Sequence, residues 1–391
     1  MSAEAFAPPA DLSRVRGQAL VVAAVATVLS VVGGVLSPTA FARAYLVAFV
    51  DIFSVAMGCL ILSMIHHLSR GAWGVMVRRI LEAAARTLPY LGVLFLPIVF
   101  FRHTLYEWAR PEEAAKDPLL LAKKAYLNPT AWGIRAAVFF LLWTIVAYVL
   151  SALSRRQDTA KDPTLTRRMQ NIASLGLLVA AATVTLAAVD WMMSLNPHWS
   201  STIYGLYLII GALVAAMAFT VLVALYLSRR APLEGEFRPV HFHDYGKLLL
   251  AFVMVWAYFS VSQFLIVWSG NLPEETSWYQ GRMLGGWRVV SLALVFLHFA
   301  FPFILLLSRD LKRDAGKLAR VAALLLVMRW VDVYWLAAPA FSPNHVSFHW
   351  LDAMLPIALC SIWLWLFVGQ LQTRPLLPLG EPFLKEALGH D

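Results

Sequence analysis

Apolar residues gather into ten long runs, at about 18–36, 41–65, 84–101, 135–153, 171–192, 203–228, 248–269, 289–308, 318–338 and 350–371. A helix of about 20 apolar residues crosses roughly 30 Å of hydrocarbon. A membrane β-barrel would show short segments of alternating polarity instead. The pattern predicts an all-α polytopic membrane protein with about ten transmembrane helices. The first run, "RVRGQALVVAAVATVLSVVGGVLSPTAFA", also has the basic start and small-residue ending of a signal peptide. Its apolar part of about 19 residues exceeds the usual 7–15, which favours a retained helix.

The polar stretches between runs sort by charge. "HHLSRGAWGVMVRR", "SRRQDTAKDPTLTRR", "SRRAPLEGEFRPVHFHDYGK" and "SRDLKRDAGKLAR" follow spans two, four, six and eight, and Arg14 and Arg16 precede the first. "MSLNPHWSS" and "APAFSPNHVSFH", after spans five and nine, hold neither Lys nor Arg. Basic loops of one parity place that face, with both termini, in the cytoplasm. Loops 102–134 and 270–288 on the outer side are longer and mixed in charge, and so suit partner docking. The Pro-rich end, 372–391, reads as an irregular cytoplasmic tail.

Composition agrees with this picture. Hydrophobic residues make up 60% of the 391, charged residues 14%, and mean hydropathy is +0.68, whereas a soluble domain carries about a quarter charged residues. The net charge of +9 resides in short loops, where it acts as a topology signal beside anionic lipid and not as a nucleic-acid footprint. Cys59 and Cys360 both lie in apolar runs. Without a CxxC, CxxCH or zinc spacing, no iron–sulfur cluster or c-type haem is expected in this chain.

Ionisable groups at membrane depth are the candidates for function. Arg329 and Asp332, in "RWVDVYW", share a helix face at i,i+3. The pair costs less than either charge alone. Either it fixes helix packing, or Asp332 carries protons while Arg329, which keeps its own proton, tunes it. His298 lies four residues before Pro302 and would serve as an interhelical hydrogen bond or a proton relay. Intramembrane haem needs facing histidines, and His298 is the one at mid-depth. Asp51 has no basic neighbour in sequence, so either another helix supplies its partner or it exchanges protons. Gln263, with Ser260 and Tyr258, would extend a water chain or join helices.

Two further stretches stand near the surfaces. In "AAVDWMMSLNPHWSSTIYG", Asp190 ends span five, Pro197, His198 and Trp199 turn the chain, and Ser200, Ser201 and Thr202 suit the next helix cap. An Asp and a His there could accept the protons of a quinol; a capped outer turn explains them equally. In "HFHDYGKLL", His241, His243, Asp244 and Lys247 open span seven. H-x-H-D before a helix is weak evidence for a metal site; Asp244 fits an N-cap or first-turn acid, and a proton-entry funnel is the functional alternative.

"AAVDWMMSLNPHWSSTIYGLY", "HFHDYGKLLLAFVMVWAYFSVSQFLIVWSGNLPEETSWY", "FLHFAFPFILLLSRDLKR" and "LLLVMRWVDVYWL" resemble the second of two related membrane subunits of alternative complex III. That assembly is a bacterial quinol:cytochrome c oxidoreductase, and the subunit belongs to the NrfD-like (polysulfide-reductase membrane subunit) superfamily. The resemblance runs from about 170 to 350 and more loosely along the whole chain. It implies ten helices, as a pair of four-helix bundles plus two more, in the bacterial inner (cytoplasmic) membrane. It also implies a sister NrfD-like membrane subunit, an iron–sulfur subunit, multihaem and monohaem cytochrome c subunits and other small membrane subunits as partners. Quinol is then the substrate of the complex. Haem c and iron–sulfur clusters belong to the partners, and this chain holds no cofactor.

The combined expectation is a scaffold with a proton path from His243 and Asp244 toward Asp332, His298 and Asp51. Its exit lies near Asp190 and His198. One alternative is direct quinol binding at Asp190, His198 and Trp199. Another is a stand-alone secondary transporter, which should break helices in both halves; Pro302 breaks span eight, with little to match it in the first half.

Overall fold

A computed structural model of the chain describes residues 4–160, 162–343 and 345–389. Among these residues there is no strand, and ten helices are long and apolar enough to span a membrane. They are α1 (Asp11–Leu36), α2 (Pro38–Ser69), α3 (Arg78–Phe100), α4 (Pro129–Thr159), α5 (Thr164–Leu195), α6 (Tyr204–Ser228), α7 (Pro239–Gly270), α8 (Trp287–Leu307), α9 (Ala315–Ala340) and α10 (Leu351–Leu371).

Most helices outrun the apolar stretches that announce them, because caps and not hydropathy set their ends. The Asn128 side chain accepts from the Ala131 N–H at 2.8 Å ahead of α4. Asp162 does the same for Thr164 at 2.8 Å, and Asp314 for Lys317 at 2.9 Å. These side chains satisfy N–H groups that have no partner inside the helix.

Two spans are irregular. α3 is interrupted after Ala85 and again at Phe95, with Pro89 and Pro97 opening the pieces that follow. α8 widens into a π-helical stretch, Leu294–Ala300, just before Pro302. Proline lacks the N–H that would bond the His298 carbonyl, and the wider turn absorbs the lost register. The first half thus does contain a Pro-broken span, contrary to expectation. Pro89 and Pro97 sit inside an apolar run, where hydropathy alone does not register a break.

α2 is the central helix, buried at nearly every position from Ala42 to Met64. Its small residues allow close packing: Gly58 lies against the Ala212 carbonyl of α6, leaving no room for a side chain. α6 also packs on α5, α7 and α9, and α1 lies along α10. Large apolar side chains on α1, α4, α7 and α8 remain exposed, as on a surface that meets hydrocarbon.

The termini and the basic loops share one face. Asp11 accepts from Tyr226 at 3.0 Å and also pairs with Arg230, Gln372 donates to Ser13 at 3.0 Å, and Arg16 lies over the Trp365 ring. The tail is not a loose end: Leu376, Leu377, Leu384, Ala387 and Leu388 are buried, and the Leu376 N–H bonds the Phe6 carbonyl. His241 binds the Ala387 carbonyl at 2.9 Å.

Candidate functional site

The interior is organised around the charged pair of α9. Arg329 Nη1 lies 2.5 Å from Asp332 Oδ2, and both side chains are fully buried at 0% exposure. Asp332 Oδ1 accepts from Tyr207 of α6 at 2.5 Å, and Oδ2 accepts also from Trp256 Nε1 of α7 at 3.3 Å. Arg329 Nη2 donates to Ser54 of α2 at 3.1 Å, and Ser54 passes its own proton to the Val50 carbonyl at 2.7 Å. Four helices therefore meet at one carboxylate and one guanidinium. Gly211 of α6 lies against the guanidinium, where a Cβ would not fit. A buried pair is tolerable only when further hydrogen bonds complete both ions, and donors from α6 and α7 supply them here.

His298 is completely buried, its ring centroid 4.3 Å from that of Trp256. Neither ring nitrogen has a hydrogen-bond partner among the described residues. The histidine is thus separated from Asp332 by one indole ring. Asp51 lies one turn before Ser54 on α2, close to the arginine, and faces a groove rather than the pair itself.

From Tyr207 a series of polar groups leads toward the face opposite the basic loops. Tyr207, Ser260 and Gln263 line a void of about 20 Å³, room for a single water. Gln263 accepts from Ser201 of the outer turn. Beyond it, His198, Trp199, Asn196, Glu107 and Arg282 line an open cleft of about 270 Å³. Trp199 stacks on Trp278 with centroids 4.5 Å apart. Arg282 is buried 3.4 Å over the Trp278 ring and donates to the carbonyls of Trp278, Trp335 and Leu336 at 2.9, 3.2 and 2.8 Å. Its charge meets the carbonyl end of α9, where the helix dipole favours a cation.

Asp190 and His198 do not converge. Asp190 is buried and held by Arg135 through two bonds of 2.8 and 2.9 Å. His198 is exposed and pairs with Asp117 at 2.8 Å. The outer loop folds over this turn: Tyr106 donates to the Trp191 carbonyl at 3.0 Å and Lys123 to that of Pro197 at 2.6 Å. In that loop, burial beside the Asp190 carboxylate pushes the Tyr126 hydroxyl up to about 12, so it stays neutral beneath the Arg135 guanidinium. At the other end of the molecule, Asp244 accepts from Lys247 at 3.0 Å and lies 4.0 Å from His243. Among the described residues, no hydrogen bond joins these groups to the Asp332 cluster.

A second buried network lies at the basic face. Arg78 pairs with Glu82 at 3.1 Å and with Glu381 of the tail; Arg79 pairs with Glu82 at 2.7 Å and with Asp158 of α4. Gln157 and Ser154 complete the two arginines at 3.2 and 2.8 Å. Sequence reading takes Arg78 and Arg79 as topology signals, since nothing local shows that Glu381 returns to them from 303 residues away. Among the described residues no group of three metal-ligating side chains gathers.

These features define a multi-pass helical membrane protein with several buried ion pairs, of which Arg329–Asp332 stands where four helices meet. No protein-family description matches the chain, and none of the curated proteins compared with it does.

Proposed function

We propose that this chain is the second NrfD-like membrane subunit of a quinol:cytochrome c oxidoreductase of the alternative complex III kind, serving as scaffold and proton conductor. The observation that carries the reading is the Asp332 cluster. A carboxylate at mid-membrane is bonded to Tyr207, and polar groups continue from Tyr207 through Gln263 and Ser201 to the opposite face. In the motif runs that resemble the family, these groups stand at the points where the chain is otherwise apolar.

In this reading Asp332 is the mid-membrane station and Arg329 holds its charge. The Tyr207 hydroxyl hands protons outward when it turns from Asp332 toward the water-sized void. His298 and Asp51 feed the station from the other side. The basic face is cytoplasmic, the membrane is the bacterial inner membrane, and the redox groups sit in haem and iron–sulfur partners. Quinol is oxidised by the assembly.

Purification of the chain from its native membrane tests the assembly: multihaem and iron–sulfur subunits should accompany it. The reconstituted complex tests the path. Asp332→Asn and Asp51→Asn should lower proton translocation per electron, and full turnover with full pumping in both would reject the proposal.

One observation supports a second reading, a secondary transporter. α3 and α8 are each the third span of a half, and both are broken, the arrangement transporters use at midplane sites. A chain that purifies alone, stable and free of redox partners, would favour it.

A further inference from the structure

Arg86, Arg155 and Arg374 gather where the seam between α3 and α4 meets the basic face. Arg86 stands at the first break of α3. Its guanidinium lies 5.5 Å from the centroid of the Tyr148 ring of α4 and donates to Thr373 of the tail at 3.2 Å. Arg374 donates to the Ser151 carbonyl of α4 at 2.8 Å and lies 3.5 Å from Glu82. Arg155, exposed one turn beyond Ser151, adds its charge to the same corner.

The acids of this corner are already engaged. Glu82 is shared by Arg78, Arg79 and Arg374, Glu381 pairs with Arg78, and Asp158 pairs with Arg79. Among the described residues neither Arg86 nor Arg155 has a carboxylate partner, and Arg86 Nε is buried without a hydrogen bond. Arg78, Arg79, Arg86, Arg155 and Arg374 thus face Glu82, Asp158 and Glu381, five cations to three anions. The excess is felt locally: burial draws Arg374 down to about 10, and the Arg86, Arg79 and Arg155 charges add to it against the pull of Glu82.

The corner opens onto apolar surface. Gly92 of α3 lies against the Phe140 ring of α4 and joins the two helices. On either side of that join, Tyr90 and Val93 of α3 and Leu141 and Ile145 of α4 are exposed. Leu141, Ile145, Tyr148 and Arg155 follow one another on α4 at helical spacing, so one stripe runs from hydrocarbon depth to the arginines.

We infer that this seam is a binding site for an anionic phospholipid of the adjoining leaflet. The phosphate accepts from Arg86, Arg155 and Arg374, whose planar forks match its oxygens, and an acyl chain lies along the exposed stripe between α3 and α4. Basic pockets between membrane helices hold such headgroups by charge. A zwitterionic lipid is a poorer match, because its ammonium brings another cation to a corner that already has too many. The inference does not depend on the proposed respiratory role.

The test uses the full-length protein in detergent, with its native partners if they co-purify, and reads binding by titration calorimetry. The probes are dioctanoyl-phosphatidylglycerol, dioctanoyl-phosphatidylcholine and glycerol phosphate. Phosphatidylglycerol should bind on the order of tenfold more tightly than phosphatidylcholine, the worth of a charge-assisted hydrogen bond, and glycerol phosphate, which has no acyl chain, should bind more weakly still. Arg155→Gln removes a side chain that holds nothing else in the fold. It should weaken phosphatidylglycerol roughly fivefold, the worth of one arginine beside an anionic headgroup, and leave phosphatidylcholine unchanged. Arg86→Gln should do the same, whereas Arg313→Gln, exposed between α8 and α9, should change neither. Equal binding of the two lipids, glycerol phosphate binding as tightly as phosphatidylglycerol, or binding of none of the probes would each overturn the inference. So would a loss from Arg313→Gln as large as that from Arg155→Gln.

Discussion

Tyr207 of α6 donates to Asp332 of α9 at 2.5 Å, across 125 residues of sequence. The bond turns a local i,i+3 pair into a junction between helices, and it gives the carboxylate a neighbour able to pass a proton on. Tyr207→Phe keeps the ring and removes the donor. The carboxylate then loses a charge-assisted bond worth about 1.5–3 kcal/mol. Thermal unfolding in detergent should show a loss of that size, and vesicles holding the assembly should translocate fewer protons. Unchanged proton movement would place the outward route elsewhere.

The ion pair makes a sharper statement about stability. Removing one partner of a buried pair costs about 3–5 kcal/mol, whereas replacing both with apolar residues can be neutral. Arg329→Met and Asp332→Leu should each destabilise strongly, and the double variant should recover most of the loss. Simple additivity of the two losses in a double-mutant cycle would mean that the pair contributes through packing alone.

Arg135 and His198 test how burial sets the worth of a charge. Arg135 holds the fully buried Asp190 with two bonds, so Arg135→Met should cost about 3–5 kcal/mol. His198 pairs with Asp117 in the open, and His198→Ala should cost less than about 1 kcal/mol. Chemical denaturation of the two variants measures both, and similar losses would contradict the difference in burial.

The tail offers a prediction at the basic face. Glu381 meets Arg78, while Leu376 and Leu377 are buried against the helices. Deleting the segment after Gln372 should leave Arg78 short of one carboxylate and expose apolar surface. Limited proteolysis should then cut the loop before α3 faster than in the full chain. Equal rates would show the strap to be dispensable.

Much of the fold can be read without coordinates. Ten apolar runs became ten helices, and the parity of Arg and Lys anticipated a shared face for the termini and the even loops. These properties are local sums over neighbouring residues, so hydropathy and charge report them directly. The mutual facing of Arg329 and Asp332 was visible for the same reason, since i,i+3 spacing fixes a helix face. The breaks in α3 were not, because proline inside an apolar run changes the backbone and leaves the hydropathy almost untouched.

Sequence alone therefore determined that this chain spans a membrane, how often it crosses, and which intramembrane charges stand one turn apart. Tertiary structure decided what those charges touch: Tyr207, Trp256 and Ser54 around the pair, Arg135 on Asp190, and an open groove beside Asp51. Such contacts join residues far apart in the chain, and their existence rests on which helices pack together. Helix faces rich in small residues select those neighbours, as at Gly58 and Gly211, and in a bilayer close packing must do what the hydrophobic effect does in water.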